Sequence, residues 1–175
     1  GGGVGGRDDG PDGRGEPTGL FRDRAKELIE RHLPPVTEDD LVASIETACR
    51  AYNRVGLTAV GEPGLWPHEI RAFHRARREG RLTVRTDMMM AGWGFGSQDD
   101  EVGLRQRFEG VGVSGGFGDD LLRIGNVKVF MDGALGPHTA AMFQPYLGEE
   151  NNRGILNMDG EELFEHGRKA AGVGL

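Results

Sequence analysis

Lys128 stands inside the apolar run Val127-Lys128-Val129-Phe130-Met131, and Asp132-Gly133 follows directly. A lysine in such a run is either the water-facing residue of an edge strand or a buried amine. Burial disfavours the ammonium, and the neutral amine that remains is reactive. Such an amine can take up carbon dioxide and become a carbamate, a carboxylate-like metal ligand. Asp132 lies four residues on, so an uninterrupted strand places both side chains on one face. The C-terminal ends of parallel strands are where the active sites of α/β proteins gather.

The other reactive residue types give weaker signals. The five histidines, His32, His68, His74, His138 and His166, form neither H-x-H nor H-E-x-x-H. His68 and His74 do not share a helix face, and His32 and His166 fall in charge-rich helical segments that read as solvated. His138 lies in the loop after the lysine-bearing run, which makes it the histidine of interest. Cys49 falls on an apolar helical stripe and reads as a small core residue. Two stretches match G-x-G-x-x-G, at Gly1-Gly3-Gly6 and Gly110-Gly112-Gly115. Neither has a strand before it, so neither reads as a dinucleotide site.

Several elements must position these residues. Residues 1–19 read as an irregular lead-in rich in Gly, Asp, Arg and Pro. Phe21, Ala25, Leu28 and Ile29 share one helix face, and Pro34-Pro35 stops that helix. Leu41, Ile45, Ala48, Cys49 and Tyr52 make the cleanest helical stripe, opened by Thr37 with Asp40 and closed at Gly56. Leu57–Val60 reads as a strand, Gly61-Glu62-Pro63-Gly64 as a turn, and Pro67 to Gly80 as a helix. Arg81–Met90 reads as a second strand, which favours a parallel βαβ unit. A short helix near Asp100–Phe108 follows, and Leu121–Met131 contains a third strand, best placed at Val127–Met131. A long loop then runs to about Arg153, with a short strand expected over Gly154–Asn157. Asp159 caps a last helix with Leu163, Gly167, Ala170 and Ala171 inward. Val173-Gly174-Leu175 reads as the start of a further strand.

Composition narrows the classes. The chain has 175 residues, 31 of them Gly, and a single Cys, so it cannot build a disulfide framework or a multi-thiolate zinc site. The net charge of -7 argues against general nucleic-acid binding. Its apolar stretches are too short to cross a membrane, and Gly1 to Gly6 lacks the pattern of a signal peptide. The expected location is cytoplasmic. The length is short for a complete (β/α)8 barrel of about 250 residues. With Gly rather than Met at position 1, the chain reads as an internal segment of a longer protein.

The motifs together carry a resemblance. Gly15-Glu16-Pro17-Thr18-Gly19-Leu20 is similar to the G-E-P-T-G-hydrophobic segment of the amidohydrolase 3 family of metal-dependent hydrolases. Lys128 to Gly136 resembles its K-hydrophobic-F-x-D-G-[AS]-x-G segment, and Thr139–Met142, Pro145-Tyr146 and Gly154-Ile155-Leu156 continue the likeness. The resemblance implies a fold class of α/β type, the middle portion of a (β/α) TIM-type barrel over residues 20–175. It implies hydrolysis of a C–N bond in a non-peptide amide or formamide. In that superfamily a divalent metal, usually zinc, activates the attacking water. The match assigns Lys128 as a metal ligand, carboxylated on Nζ. Asp132, Gly133 and His138 fall in the supporting or substrate loop. The remaining ligands, including an H-x-H and a later His, fall outside the chain, so the segment alone is expected to be inactive. Where the family often has Ser-Arg, this chain has Pro137-His138, and His138 is a candidate substitute hydrogen-bond donor.

The expected partner is a small amide-type substrate, with no nucleic acid and no membrane; the oligomeric state is open. Two alternatives are a non-catalytic α/β module binding a ligand or nucleotide, and a family member that has lost its metal.

Overall fold

The computed structural model describes residues 29, 31–92, 114–172 and 174–175. The chain divides into two compact units, Gly1–Thr37 and Glu38–Leu175. In the first, Ile29 is helical and its carbonyl accepts the His32 N–H at 2.9 Å. The rest of the helix expected over 21–29, the segment 15–20, the helix expected near 100–108 and most of the second glycine motif lie outside the described residues.

The second unit contains α1 (Glu38–Arg54), β1 (Ala59–Leu65), α2 (Pro67–Arg78), β2 (Arg85–Ala91), β3 (Leu122–Lys128) and α3 (Gly160–Gly172). The three strands form one parallel sheet in the order β1-β2-β3. In α1, Glu38, Asp39 and Asp40 occupy the first turn, where carboxylates favour the positive end of the helix dipole. Cys49 is buried and Leu41, Ile45 and Tyr52 pack beside it, as the stripe predicts, while Val42, outside the stripe, is the most buried residue of the helix. Gly56 takes φ 78° and the Leu57 N–H bonds the Tyr52 carbonyl at 3.0 Å, which closes the helix. Pro67 opens α2, and Glu69 Oε2 accepts the Trp66 N–H at 2.7 Å. Ala72 and Ala76, one turn apart, are fully buried. Their small side chains suit close packing in the core with Val84 and Met88.

Several sequence expectations need correction, and β2 starts at Arg85 rather than Arg81. Gly61-Glu62-Pro63-Gly64 lies in β1, not in a turn. β1 is an edge strand of this sheet, where proline's missing N–H is tolerated, and the register shifts between Pro63 and Leu65. The third strand falls within Leu121–Met131 as expected, but it runs Leu122–Lys128 and not Val127–Met131. Leu122 and Ile124 supply its buried side, while Arg123, Gly125 and Asn126 dilute its apolar pattern. Residues 154–157 make only an isolated bridge, Asp132 with Leu156. In α3 only Ala170 is buried, whereas Leu163 is exposed, and Gly174-Leu175 are not in a strand.

Candidate active site

The parallel strands end on the same side, at Leu65, Ala91 and Lys128. Lys128 closes β3 opposite Ala91, and its carbonyl accepts the Gly92 N–H at 2.9 Å. Val127 and Val129 pack on the core, so alternation turns Lys128 and Phe130 to the other face. Nζ lies 4.8 Å from the centroid of the Phe130 ring, and the side chain is half-buried. That is a cation–π contact. Lys128 makes no ion pair among the described residues. The same face carries the Arg123–Asp87 ion pair at 3.1 Å. Asp87 Oδ1 is buried without a partner, packed where a side chain at residue 125 would stand. Only glycine leaves that space.

Because β3 stops at Lys128, Asp132 belongs to the following loop. The shared strand face expected for Lys128 and Asp132 therefore does not form. Asp132 Oδ2 accepts the Ala141 N–H at 2.9 Å, and Asn157 Nδ2 donates to the Asp132 carbonyl at 3.2 Å. A side chain at Gly133 would collide with Thr139, whose Oγ1 accepts the Ala134 N–H at 3.0 Å. His138 sits at φ 57°, the left-handed region that side chains seldom occupy. Its Nδ1 lies 2.5 Å from Glu149 Oε1, and its ring stacks on Tyr146 at 4.6 Å and 10°. Tyr146 in turn donates its hydroxyl to the Ala140 carbonyl at 2.8 Å. Asn152 Nδ2 donates to both the His138 carbonyl and Glu149 Oε2.

Asp132, Gly133 and His138 thus lie in one cross-tied loop, while Lys128 stands at its root without a hydrogen bond to it. Sequence reasoning missed Glu149, Asn152 and Asn157. Glu149-Glu150-Asn151-Asn152 reads as a solvated polar run, and no spacing rule links it to His138. His166, expected to be solvated, is half-buried, and burial lowers its pKa against the pull of Glu162 and Glu165.

A separate cavity of about 230 Å³ lies between the sheet and the helices α1 and α2. Glu62 lines it among Leu41, Ile45 and Phe73, and burial, helped by the charge of Glu69, raises its pKa. This cavity is on the helix-packed side of the sheet, away from the Lys128 face. Among the described residues no group of three His, Cys, Asp or Glu side chains could hold a metal ion. A protonated Lys128 also has no lone pair to offer. The described residues therefore do not assemble a metal centre by themselves.

The model of the amidohydrolase family matches residues 5–175. The chain belongs to the amidohydrolase family. It is 28% identical over 169 residues to the protein named "Putative amidohydrolase YtcJ" of Bacillus subtilis (strain 168). That match covers 94% of this chain and 30% of the relative. It is 27% identical to LONG AFTER FAR-RED 3 of Arabidopsis thaliana, over 85% of this chain and 26% of that protein. Among solved structures it is similar to an uncharacterized metal-dependent hydrolase from Pyrococcus horikoshii OT3, with TM-score 0.71 and 28% identity. That likeness covers 91% of this chain and 31% of the other. A metal-dependent hydrolase from Pyrococcus furiosus is equally similar, with 32% of its chain covered. The chain thus spans less than a third of the length of these relatives and solved structures. No described helix is long and apolar enough to cross a membrane.

Proposed function

We propose that the chain is part of a metal-dependent amidohydrolase that cleaves a C–N bond in a small non-peptide amide or formamide. The observation that carries this reading is Lys128, without an ion pair among the described residues, at the C-terminal end of a parallel strand and followed by a cross-tied loop, in a chain matched to the family along its length. Residues 20–175 then form the middle portion of a (β/α) barrel, with residues 1–19 as its lead-in. The greater length of the relatives accommodates the other strands. The single cysteine, Cys49, is buried and free, which suits a cytoplasmic enzyme.

In this reading Lys128 contributes one ligand after modification. The ammonium first loses a proton. The neutral Nζ then adds to the carbon of carbon dioxide, forming an N–C bond and releasing a second proton, to leave a carbamate anion. The carbamate supplies two oxygens, a donor type that zinc accepts. The metal, when bound, polarises a carbonyl and makes water more acidic. Asp132 holds the loop through Ala141, and Gly133 lets Thr139 approach.

The test uses the full-length protein, stripped of metal and reloaded with zinc, cobalt or manganese. Formamides, N-acyl amines, peptides and esters are offered in parallel, and amine or acid release is measured. Metal-dependent release of amine from the amides is expected. Turnover confined to esters, or amide turnover indifferent to metal, contradicts the proposal.

A further inference from the structure

His138 is held in a way that a solvated loop histidine is not. It is the one described non-glycine residue with positive φ. Left-handed backbone at a side-chain-bearing residue costs free energy, and such strain persists only where the surroundings impose it. Here the imposing groups are visible. Asn152 Nδ2 holds the His138 carbonyl at 3.0 Å, the Leu135 carbonyl accepts its N–H at 3.0 Å, and Tyr146 covers one face of its ring. Glu149 Oε1 holds Nδ1. Asn152 also fixes Glu149, donating to Oε2 at 2.6 Å. Backbone, ring plane and one ring nitrogen are therefore all fixed, and Nε2 makes no hydrogen bond among the described residues.

The chemistry of the fixed nitrogen decides the chemistry of the free one. An ionised carboxylate can only accept, so Nδ1 carries the proton. In the neutral ring Nε2 then holds the lone pair and acts as an acceptor. We infer that His138 is a substrate-binding residue: its Nε2 accepts a hydrogen bond from an N–H of the substrate, the N–H of a secondary amide in the proposed class. Pro137-His138 thus places an acceptor on this loop and selects substrates that bring a donor. The inference rests on the amidohydrolase reading for its substrate class.

The experiment uses the full-length, metal-loaded enzyme and two arms. In the first, selectively 15N-labelled histidine NMR reads the tautomer of His138, assigned by its loss in His138→Asn. The Nδ1–H form is expected in the neutral ring, and the Nε2–H form overturns the inference. In the second, KM and kcat are measured for a secondary amide and its N-methylated counterpart. N-methylation removes the donor, so KM of the wild type should rise about tenfold, the effect of one hydrogen bond. Asparagine places its amide where Nδ1 stood, keeping the Glu149 contact but losing the Nε2 position. His138→Asn should therefore raise KM for the secondary amide about tenfold, leave kcat within a few-fold, and abolish the effect of N-methylation. Glutamine carries its amide oxygen toward the Nε2 position, so His138→Gln should restore most of the lost binding. If N-methylation acts equally on wild type and His138→Asn, or Asn and Gln variants fail alike, the inference is wrong while the amidohydrolase reading stands. If the wild type turns over no amide at all, that reading falls and takes this substrate assignment with it.

Discussion

Residues 38–91 and residues 129–157 are ordered by different forces. The first region is an α/β unit in which Val42, Val84 and Met88 are fully buried and Ala72 and Ala76 bring α2 close. The second is a loop in which few side chains are buried; Phe143 and Leu147 are almost entirely exposed. Its order comes from polar side chains tied to backbone: Asp132 to Ala141, Tyr146 to Ala140, Asn152 to His138, Arg153 to Phe143, Asn157 to Phe130. An apolar core tolerates the loss of one surface contact. A laced loop depends on each bond, because its members have little hydrophobic burial to fall back on.

Truncation separates the two regions most sharply. Met88→Ala empties part of the core and should cost about 2–5 kcal/mol, measured as a lowered melting temperature of the full-length protein. Gly133→Ala forces a side chain into Thr139, and overpacking of this kind costs about 1–3 kcal/mol. That cost should fall on the loop, seen as faster proteolysis between residues 133 and 153 and reduced turnover, with the global melt nearly unchanged. Asp132→Ala leaves the Ala141 N–H without its acceptor and should cost about 1 kcal/mol, again read locally. If Gly133→Ala lowers the global melt as much as Met88→Ala, the two regions are one cooperative unit and the contrast fails.

A pH titration refines the core side. Burial and the charge of Glu69 raise the Glu62 pKa in the fold. The folded state then binds the proton more tightly, so its contribution is fully present below the ordinary carboxylate pKa and is lost as pH rises through the raised one. Glu62→Gln should therefore stabilise at neutral pH and change little in acid, as checked by paired melts at pH 4 and pH 7. The smallest effect belongs to the exposed Glu46–Arg50 pair, 2.5 Å apart on α1. Arg50→Ala should leave the melting temperature almost unchanged, because exposed ion pairs contribute little.

The same contrast explains what could be read from sequence. Leu41, Ile45, Cys49 and Tyr52 repeat at helical spacing because burial imposes that spacing, so α1 and its Gly56 cap were legible. Asp159 was legible as a cap for the same local reason; its Oδ1 accepts the Glu161 and Glu162 N–H groups at 2.9 Å. β1 was not, because an edge strand can hold Pro63 and Gly64 where their local chemistry reads as a turn. β3 was displaced because Gly125 is there to admit Asp87 from the neighbouring strand, a long-range packing fact without local periodicity. Residue type and resemblance single out Lys128 at the end of β3 and Asp132, Gly133 and His138 in the loop after it. Glu149 lies eleven residues from His138, across a turn that no pattern encodes.

Lys128 is the proposed metal ligand, and metal content tests that role most directly. Full-length wild type, Lys128→Ala and Lys128→Glu should be purified side by side, their bound metal quantified and amide turnover measured. Lys128→Ala is expected to lose metal and activity together, and Lys128→Glu to retain part of both by restoring a carboxylate. Full metal content with normal turnover in Lys128→Ala would make Lys128 a strand residue packed on Phe130 and nothing more.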